Sequence, residues 1–204
     1  MSVIEYFFAL NSPWSYLGSA RLAVIAARYG LPVAVRPTKL GAVFAETGGV
    51  PLAKRSAERQ AYRLLELQRW SRYLDLPLIP EPNHFPVDET HAAHLVIAAE
   101  SAGFDALRLA TAIGGALWNR NQDISDWAVL DETALELGID AEDLRRRFSV
   151  EELGEMHDAN TRAALAKGVF GAPSYVLNGE LFWGQDRLEF LDRKLEAEKN
   201  GSVR

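Results

Sequence analysis

The pattern of apolar and polar positions divides the chain into a β-rich beginning, a long helical middle and a β-rich end. Ser2 to Leu10 is short, aromatic and β-branched, the composition of a buried strand. The apolar run stops at Asn11. Pro13 to Tyr29 is then apolar nearly all round, with Arg21 and Arg28 marking one wet stripe, and Gly30 supplies a residue that closes a helix. Val33 to Pro37 reads as a second strand. A strand, a helix and a strand in so short a unit make a crossover between parallel strands.

Gly41 to Val50 reads as a short helical turn followed by a Gly-Gly loop. From Ala57 the spacing turns helical for a long stretch, with Leu64, Leu65, Leu67, Trp70 and Leu74 on one side and Arg and Glu on the other. The prolines between Leu76 and Pro86 exclude a helix, so that segment runs extended over a surface, as loops that line pockets do. Helical patterns resume at Asp88 to Ala102, Asp105 to Trp118, Asp126 to Leu137 and Asp140 to Phe148, with Gly103 and Gly138 as stops. Ser149 and Glu152 form a capping box that opens one more helix, running to Lys167 and stopped by Gly168.

The last quarter returns to alternation. Ser174 to Leu177, the pair Asn178-Gly179, and Glu180 to Trp183 spell a β-hairpin. Asp186 then reads as the cap of a final helix, with Glu189 completing a second box. The order β-α-β, helical block, α-β-β-α describes an α/β fold with a thioredoxin-like core and a large all-helical insertion. The expected division is residues 1–38 plus 168–204, with a flanking helix from about 150, for the core and 39–149 for the insertion subdomain.

Composition narrows the function classes. Acidic residues outnumber basic ones by 28 to 22, for a net charge of −6, and the single basic run, Arg145 to Arg147, lies among acids; nucleic acid is not the expected partner. No apolar run reaches the ~18 residues of a membrane span, and the first residues read as a strand rather than a basic leader, so a cytoplasmic protein is expected. The absence of cysteine removes disulfides, thiolate nucleophiles and dithiol exchange carried by the chain itself. His91 and His94 lack a carboxylate at helical spacing on the same face; both are expected at the surface and no metal is predicted.

Chemistry concentrates where the first strand meets the first helix. Ser12 stands immediately before Pro13, the arrangement a helix start favours, and its hydroxyl is therefore a cap. The same place gathers free N–H groups and the positive end of a helix dipole, which suits an anion or a catalytic group. In a thioredoxin-like core that helix start carries the working residues and faces a loop with a proline, usually cis, before the third strand. Here Ser12-Pro-Trp-Ser15 and Gly171-Ala-Pro173-Ser occupy the two places. Serines in the positions of a dithiol leave a site suited to a thiolate brought in by a ligand.

Four stretches together, Ser12-Pro-Trp-Ser-Tyr-Leu, Gln68-Arg-Trp, Phe170-Gly-Ala-Pro173 and Phe182-Trp-Gly-Gln-Asp186-Arg187-Leu188, resemble the 2-hydroxychromene-2-carboxylate isomerases and their relatives, the kappa-class glutathione transferases. The resemblance spans nearly the whole chain. It implies glutathione as cofactor, with Ser12 bonding its sulfur, the backbone of Ala172 before a cis Pro173 pairing with the cysteinyl unit, and Gln185 with Asp186 holding the γ-glutamyl end. It also implies an aromatic small-molecule substrate and a homodimer. Three positions depart from the family pattern: Gly49 and Asp88 where Asn is common, and Arg59 where Lys opens the long helix. Arg59 keeps the ability to hold a carboxylate, in a fork of different reach.

The reading that follows is a glutathione-dependent isomerase interconverting 2-hydroxychromene-2-carboxylate and trans-o-hydroxybenzylidenepyruvate, with Trp14, Phe85, Trp118 and Trp183 either walling the pocket or packed in the core. A kappa-like transferase conjugating electrophiles is the second reading. A thioredoxin-fold binding protein without catalysis is the third. A serine hydrolase is disfavoured, since the chain has no Gly-x-Ser-x-Gly elbow.

Overall fold

The computed structural model describes residues 2–201. Strands β1 (Ile4–Phe8), β2 (Val33–Pro37), β3 (Ser174–Leu177) and β4 (Glu180–Trp183) form one sheet in the order β2-β1-β3-β4. β2 runs parallel to β1, as a crossover requires, whereas β3 is antiparallel to β1 and β4 to β3. Phe7 pairs with Ser174. That register brings the loop before β3 beside the end of β1, where the first helix starts.

Helix α1 (Pro13–Tyr29) is capped by Ser12 and closed by Gly30 in the left-handed conformation. Between β2 and β3 follow α2 (Leu40–Thr47), a 3-10 turn at Leu52–Lys54, α3 (Ala57–Leu74), α4 (Thr90–Ser101), α5 (Ala106–Trp118), α6 (Trp127–Leu135), α7 (Ala141–Arg147) and α8 (Val150–Ala166). The predicted capping box forms at the start of α8: Glu152 N–H donates to Ser149 Oγ, and Ser149 N–H donates to the Glu152 carboxylate. A second 3-10 turn, Gln185–Arg187, leads into α9 (Leu188–Lys199). The fold is a thioredoxin-like core with a helical block between its two β-rich ends.

Alternation along β1 decides what each face of the sheet touches. Tyr6 and Phe8 stack at 4.3 Å, and Tyr6 stacks on Tyr175 at 5.4 Å, on the side shared with α1, α4 and α5. Phe7 and Val176 point the other way, onto Ala164 and Val169 at the end of α8. The Tyr6 hydroxyl exchanges a 2.8 Å hydrogen bond with Ser19 Oγ, fastening α1 to the sheet by a buried polar link. Burying a hydroxyl without such a partner costs ~1–3 kcal/mol.

Three expectations are corrected. Asp186 caps no helix: it lies inside the 3-10 turn, where its carboxylate pairs with Arg187, and Glu189 pairs with Arg193 rather than with a helix start. The cause is Gly184, whose φ of +99° redirects the chain after β4 so that a short turn intervenes. Leu65 is half exposed, and of the apolar side chains assigned to one face of α3 only Leu67 is buried. His94 is buried beside His157, the two rings 6.0 Å apart, while His91 alone stays exposed, stacked on Trp127.

Candidate active site

Ser12 Oγ accepts the N–H of Ser15 at 3.3 Å, so the hydroxyl is a helix cap. Capping consumes a lone pair and not the proton, and that O–H has no acceptor among the described residues. The N–H of Trp14, at the second helical position, is one that a helix leaves without an internal acceptor. Facing this start, the Ala172–Pro173 peptide bond is cis, as expected. The Pro173 carbonyl accepts Gly184 N–H at 2.8 Å and Ser174 Oγ donates to the Gly171 carbonyl at 2.8 Å, while both backbone groups of Ala172 stay unpaired among the described residues. A residue with both backbone groups unpaired, just before β3, offers a donor and an acceptor to a peptide-like ligand.

A cavity of about 660 Å³ opens next to it. One wall is Trp14, Ala172 and the run Trp183 to Arg187; the other is Arg55, two residues before α3, and a face of α3 with Glu58, Arg59, Tyr62, Arg63, Glu66 and Trp70. Four of the predicted site residues, Arg59, Ala172, Gln185 and Asp186, therefore meet in one space. Ser12 and Pro173 do not line it; they are buried or adjoin it through their neighbours Trp14 and Ala172. Of the four aromatics named from sequence, Trp14 and Trp183 line the cavity, whereas Trp118 is fully buried and Phe85 packs against it at 4.9 Å. The proline-rich loop thus backs the site and does not line it.

Gln185 is held from behind. Arg21 donates to its side-chain oxygen at 2.8 Å and to its backbone carbonyl at 3.0 Å, which fixes the amide with its nitrogen free to donate elsewhere. This close seating depends on Gly18. A Cβ there would stand 2.5 Å from the Tyr175 hydroxyl and 3.1 Å from Gln185 Cβ. Gly184 is needed for both its positive φ and its approach to the Asp186 carboxylate. Arg21, assigned to a wet stripe by periodicity, is in fact the prop of the site.

Arginines on the α3 wall grade from solvent inward. Arg59 is exposed, Arg55 is half-buried with its Nε donating to the Val50 carbonyl, and Arg63 lies over the rings of Phe85 and Trp118, 5.2 and 5.7 Å from their centroids. Burial and the charge of Arg55 lower the Arg63 pKa to about 10, against the pull of Glu81. Arg63, Arg55 and Tyr62 were not singled out from sequence, and Trp70 entered only through the apolar face of α3 and the Gln68-Arg-Trp motif. The mark left for Arg63 is its four-residue spacing from Arg59, which puts both cations on one face of α3, whereas Arg55 precedes the helix in extended backbone.

Of the three positions that depart from the family pattern, Arg59 lines the cavity, and Gly49 and Asp88 lie outside it. A Cβ on Gly49 would fall 2.2 Å from the Phe44 ring, so Phe44 occupies the space a side chain would need. The Asp88 carboxylate accepts the backbone N–H and the hydroxyl of Thr90 at 2.9 and 2.6 Å, which orders the entry to α4. The next residue reaches the site from behind: the carboxylate of Glu89 accepts Asn11 N–H, one residue before Ser12, and desolvation pushes its pKa up to about 7.

The model of the DSBA-like thioredoxin domain family matches residues 3–196, and the chain belongs to that family. A 2-hydroxychromene-2-carboxylate isomerase of Pseudomonas putida is 27% identical over 193 residues, covering 93% of this chain and 92% of the relative. Human glutathione S-transferase kappa 1 is 24% identical over 222 residues, covering 98% and 93%. A solved 2-hydroxychromene-2-carboxylate isomerase superposes with a TM-score of 0.83 over 99% of this chain and 100% of that one, at 24% identity, a likeness of fold.

Proposed function

We propose that this DSBA-like thioredoxin-domain protein is a glutathione-dependent isomerase that interconverts 2-hydroxychromene-2-carboxylate and trans-o-hydroxybenzylidenepyruvate. The observation that carries the reading is Ser12: a serine in the place of a redox cysteine, capping α1 with one lone pair while its proton is left to donate. Such a proton beside a helix start stabilises a thiolate that the chain itself does not own. The relatives named as isomerases and as a kappa glutathione transferase support the same class.

The residues fit glutathione on their own chemistry. The unpaired backbone of Ala172 suits the cysteinyl unit, the free amide nitrogen of Gln185 and the Asp186 carboxylate suit the γ-glutamyl carboxylate and ammonium, and Arg59 suits the far carboxylate. Bound glutathione supplies a nucleophilic sulfur that turns the conjugated double bond of the ring-opened substrate into a rotatable single bond and then restores it. Ser12 donates its proton to the sulfur position and so lowers the basicity there. Arg21 keeps the Gln185 amide in one orientation, Trp14 and Trp183 exclude water and offer flat apolar faces to an aromatic ring, and the α3 arginines set a positive potential for a carboxylate.

The deciding experiment compares turnover of hydroxychromene carboxylate with conjugation of a chlorodinitrobenzene-type electrophile, each with and without glutathione. Isomerisation far above conjugation supports the proposal. Conjugation alone makes the protein kappa-like, and no binding of millimolar glutathione in calorimetry leaves only the binding-protein reading. A homodimer is proposed with it, since Tyr62, Leu65 and Tyr73 expose apolar surface along α3; a monomeric mass in solution scattering overturns that part.

A further inference from the structure

We propose that Arg63 receives the carboxylate of the aromatic substrate and thereby selects acids over neutral analogues of the same shape; the substrate class rests on the isomerase reading above. Of the three arginines on the α3 wall, Arg63 alone is seated against two aromatic rings, Phe85 and Trp118. Its Nη2 is buried with no hydrogen-bond partner, and it forms no ion pair among the described residues. Of the three carboxylates that line the same cavity, Glu66 pairs with Arg69 and Asp186 with Arg187, and Glu58 stands exposed at the start of α3 and forms no ion pair with Arg63. A guanidinium partly withdrawn from water with a donor left over suits an anion.

Burial makes this position discriminating. An exposed cation such as Arg59 is screened by water and salt, whereas a desolvated fork offers a carboxylate two parallel charge-assisted bonds at lower effective dielectric. Desolvation is also the largest cause of the lowered Arg63 pKa, and an incoming anion reverses it. A neutral ligand leaves the cation as it stands, so the preference between acid and neutral analogue reads out Arg63 directly. If Arg63 served only to pack on Phe85 and Trp118, its replacement would change thermal stability without touching that preference.

The test is calorimetric titration of the full chain with 2-hydroxycinnamate and with its uncharged amide, for wild type, Arg63→Leu, Arg63→Gln, Arg63→Lys and Arg59→Leu. Wild type is expected to bind the acid at least tenfold more tightly than the amide. Arg63→Leu and Arg63→Gln abolish that preference, Arg63→Lys keeps part of it, and Arg59→Leu keeps it; Arg63→Gln decides the matter if the Leu variant does not fold. An acid preference that survives in Arg63→Gln, or that wild type never had, overturns the proposal. In turnover, the Arg63 variants raise KM for the keto acid with a smaller change in kcat. Wild type that binds the acid selectively but does not isomerise it refutes the isomerase reading and leaves the Arg63 assignment standing.

Discussion

The Glu89 carboxylate accepts the backbone N–H of Asn11 at 2.7 Å across 78 residues of sequence, tying the start of α4 to the residue that precedes Ser12. Desolvation, with Asp88 as a nearby like charge, moves this carboxyl from 4.5 to about 7. Between those values the folded chain holds a proton that the unfolded chain has released, so this group's stabilising contribution is complete below pH 4.5 and lost as pH rises through 7. His157 works in the opposite sense: burial moves it from 6.5 to about 4, so its contribution is present above 6.5 and lost as pH falls through 4. Chemical denaturation from pH 4 to 8 is therefore expected to show partial cancellation in wild type. Glu89→Gln should leave stability rising more steeply with pH than wild type between 4.5 and 7; an unchanged slope contradicts the assignment.

Ser12→Ala separates the two jobs of one hydroxyl. Loss of the cap costs ~1 kcal/mol, read by thermal or chemical melting. Loss of a charge-assisted bond to sulfur costs ~1.5–3 kcal/mol, which raises the pKa of bound glutathione by roughly one to two units, read by thiolate absorbance against pH. Ser15→Ala is the control, because Ser15 Oγ is buried without a partner. Identical titrations in both variants would reduce Ser12 to a cap.

Gly18→Ala drives a methyl group into the Tyr175 hydroxyl and against Gln185. Overpacking of this kind costs ~1–3 kcal/mol. Tyr175→Phe alone should be close to neutral, since its hydroxyl is buried and unpartnered. Combined, the two changes should be less destabilising than their sum, a coupling that a double-mutant cycle measures.

Arg21→Met removes the donor that orients Gln185 without touching the cavity wall. Glutathione affinity should fall roughly tenfold, ~1.4 kcal/mol, with a much smaller change in the rate at saturating glutathione. Equal affinity for the two proteins would mean that Gln185 does not need its prop.

Local chemistry was legible in the sequence where it acts locally. Ser12-Pro13, Gly30, the Ser149 and Glu152 pair and Asn178-Gly179 each fix a turn or a cap within four residues, and each falls where the pattern places it. Asp186 was misread because the cap rule presumes an α-helix, whereas the turn there depends on Gly184 adopting a positive φ. Arg21 and Glu89 act across 164 and 78 residues, and no periodicity carries such distances. Arg63 was hidden for another reason: on a helix with a cavity on one side and solvent on the other, polarity alone does not tell the two wet faces apart.

Of the 18 residues of α3, only Leu67 is buried, so this wall of the cavity rests on few core contacts. It also carries a self-repulsion. Burial lowers the pKa of Arg55 and of Arg63, and the neighbouring charges of Arg59 and Arg55, respectively, lower them further. Arg59 and Arg63, four residues apart on α3, form a like-charge pair of the kind that weakens a helix by ~0.2–0.5 kcal/mol, whereas Arg55 precedes the helix. An anion that binds among them removes the strain as it adds its own contacts, so ligand charge and helix persistence become linked quantities, and amide exchange along α3 should slow in step with occupancy.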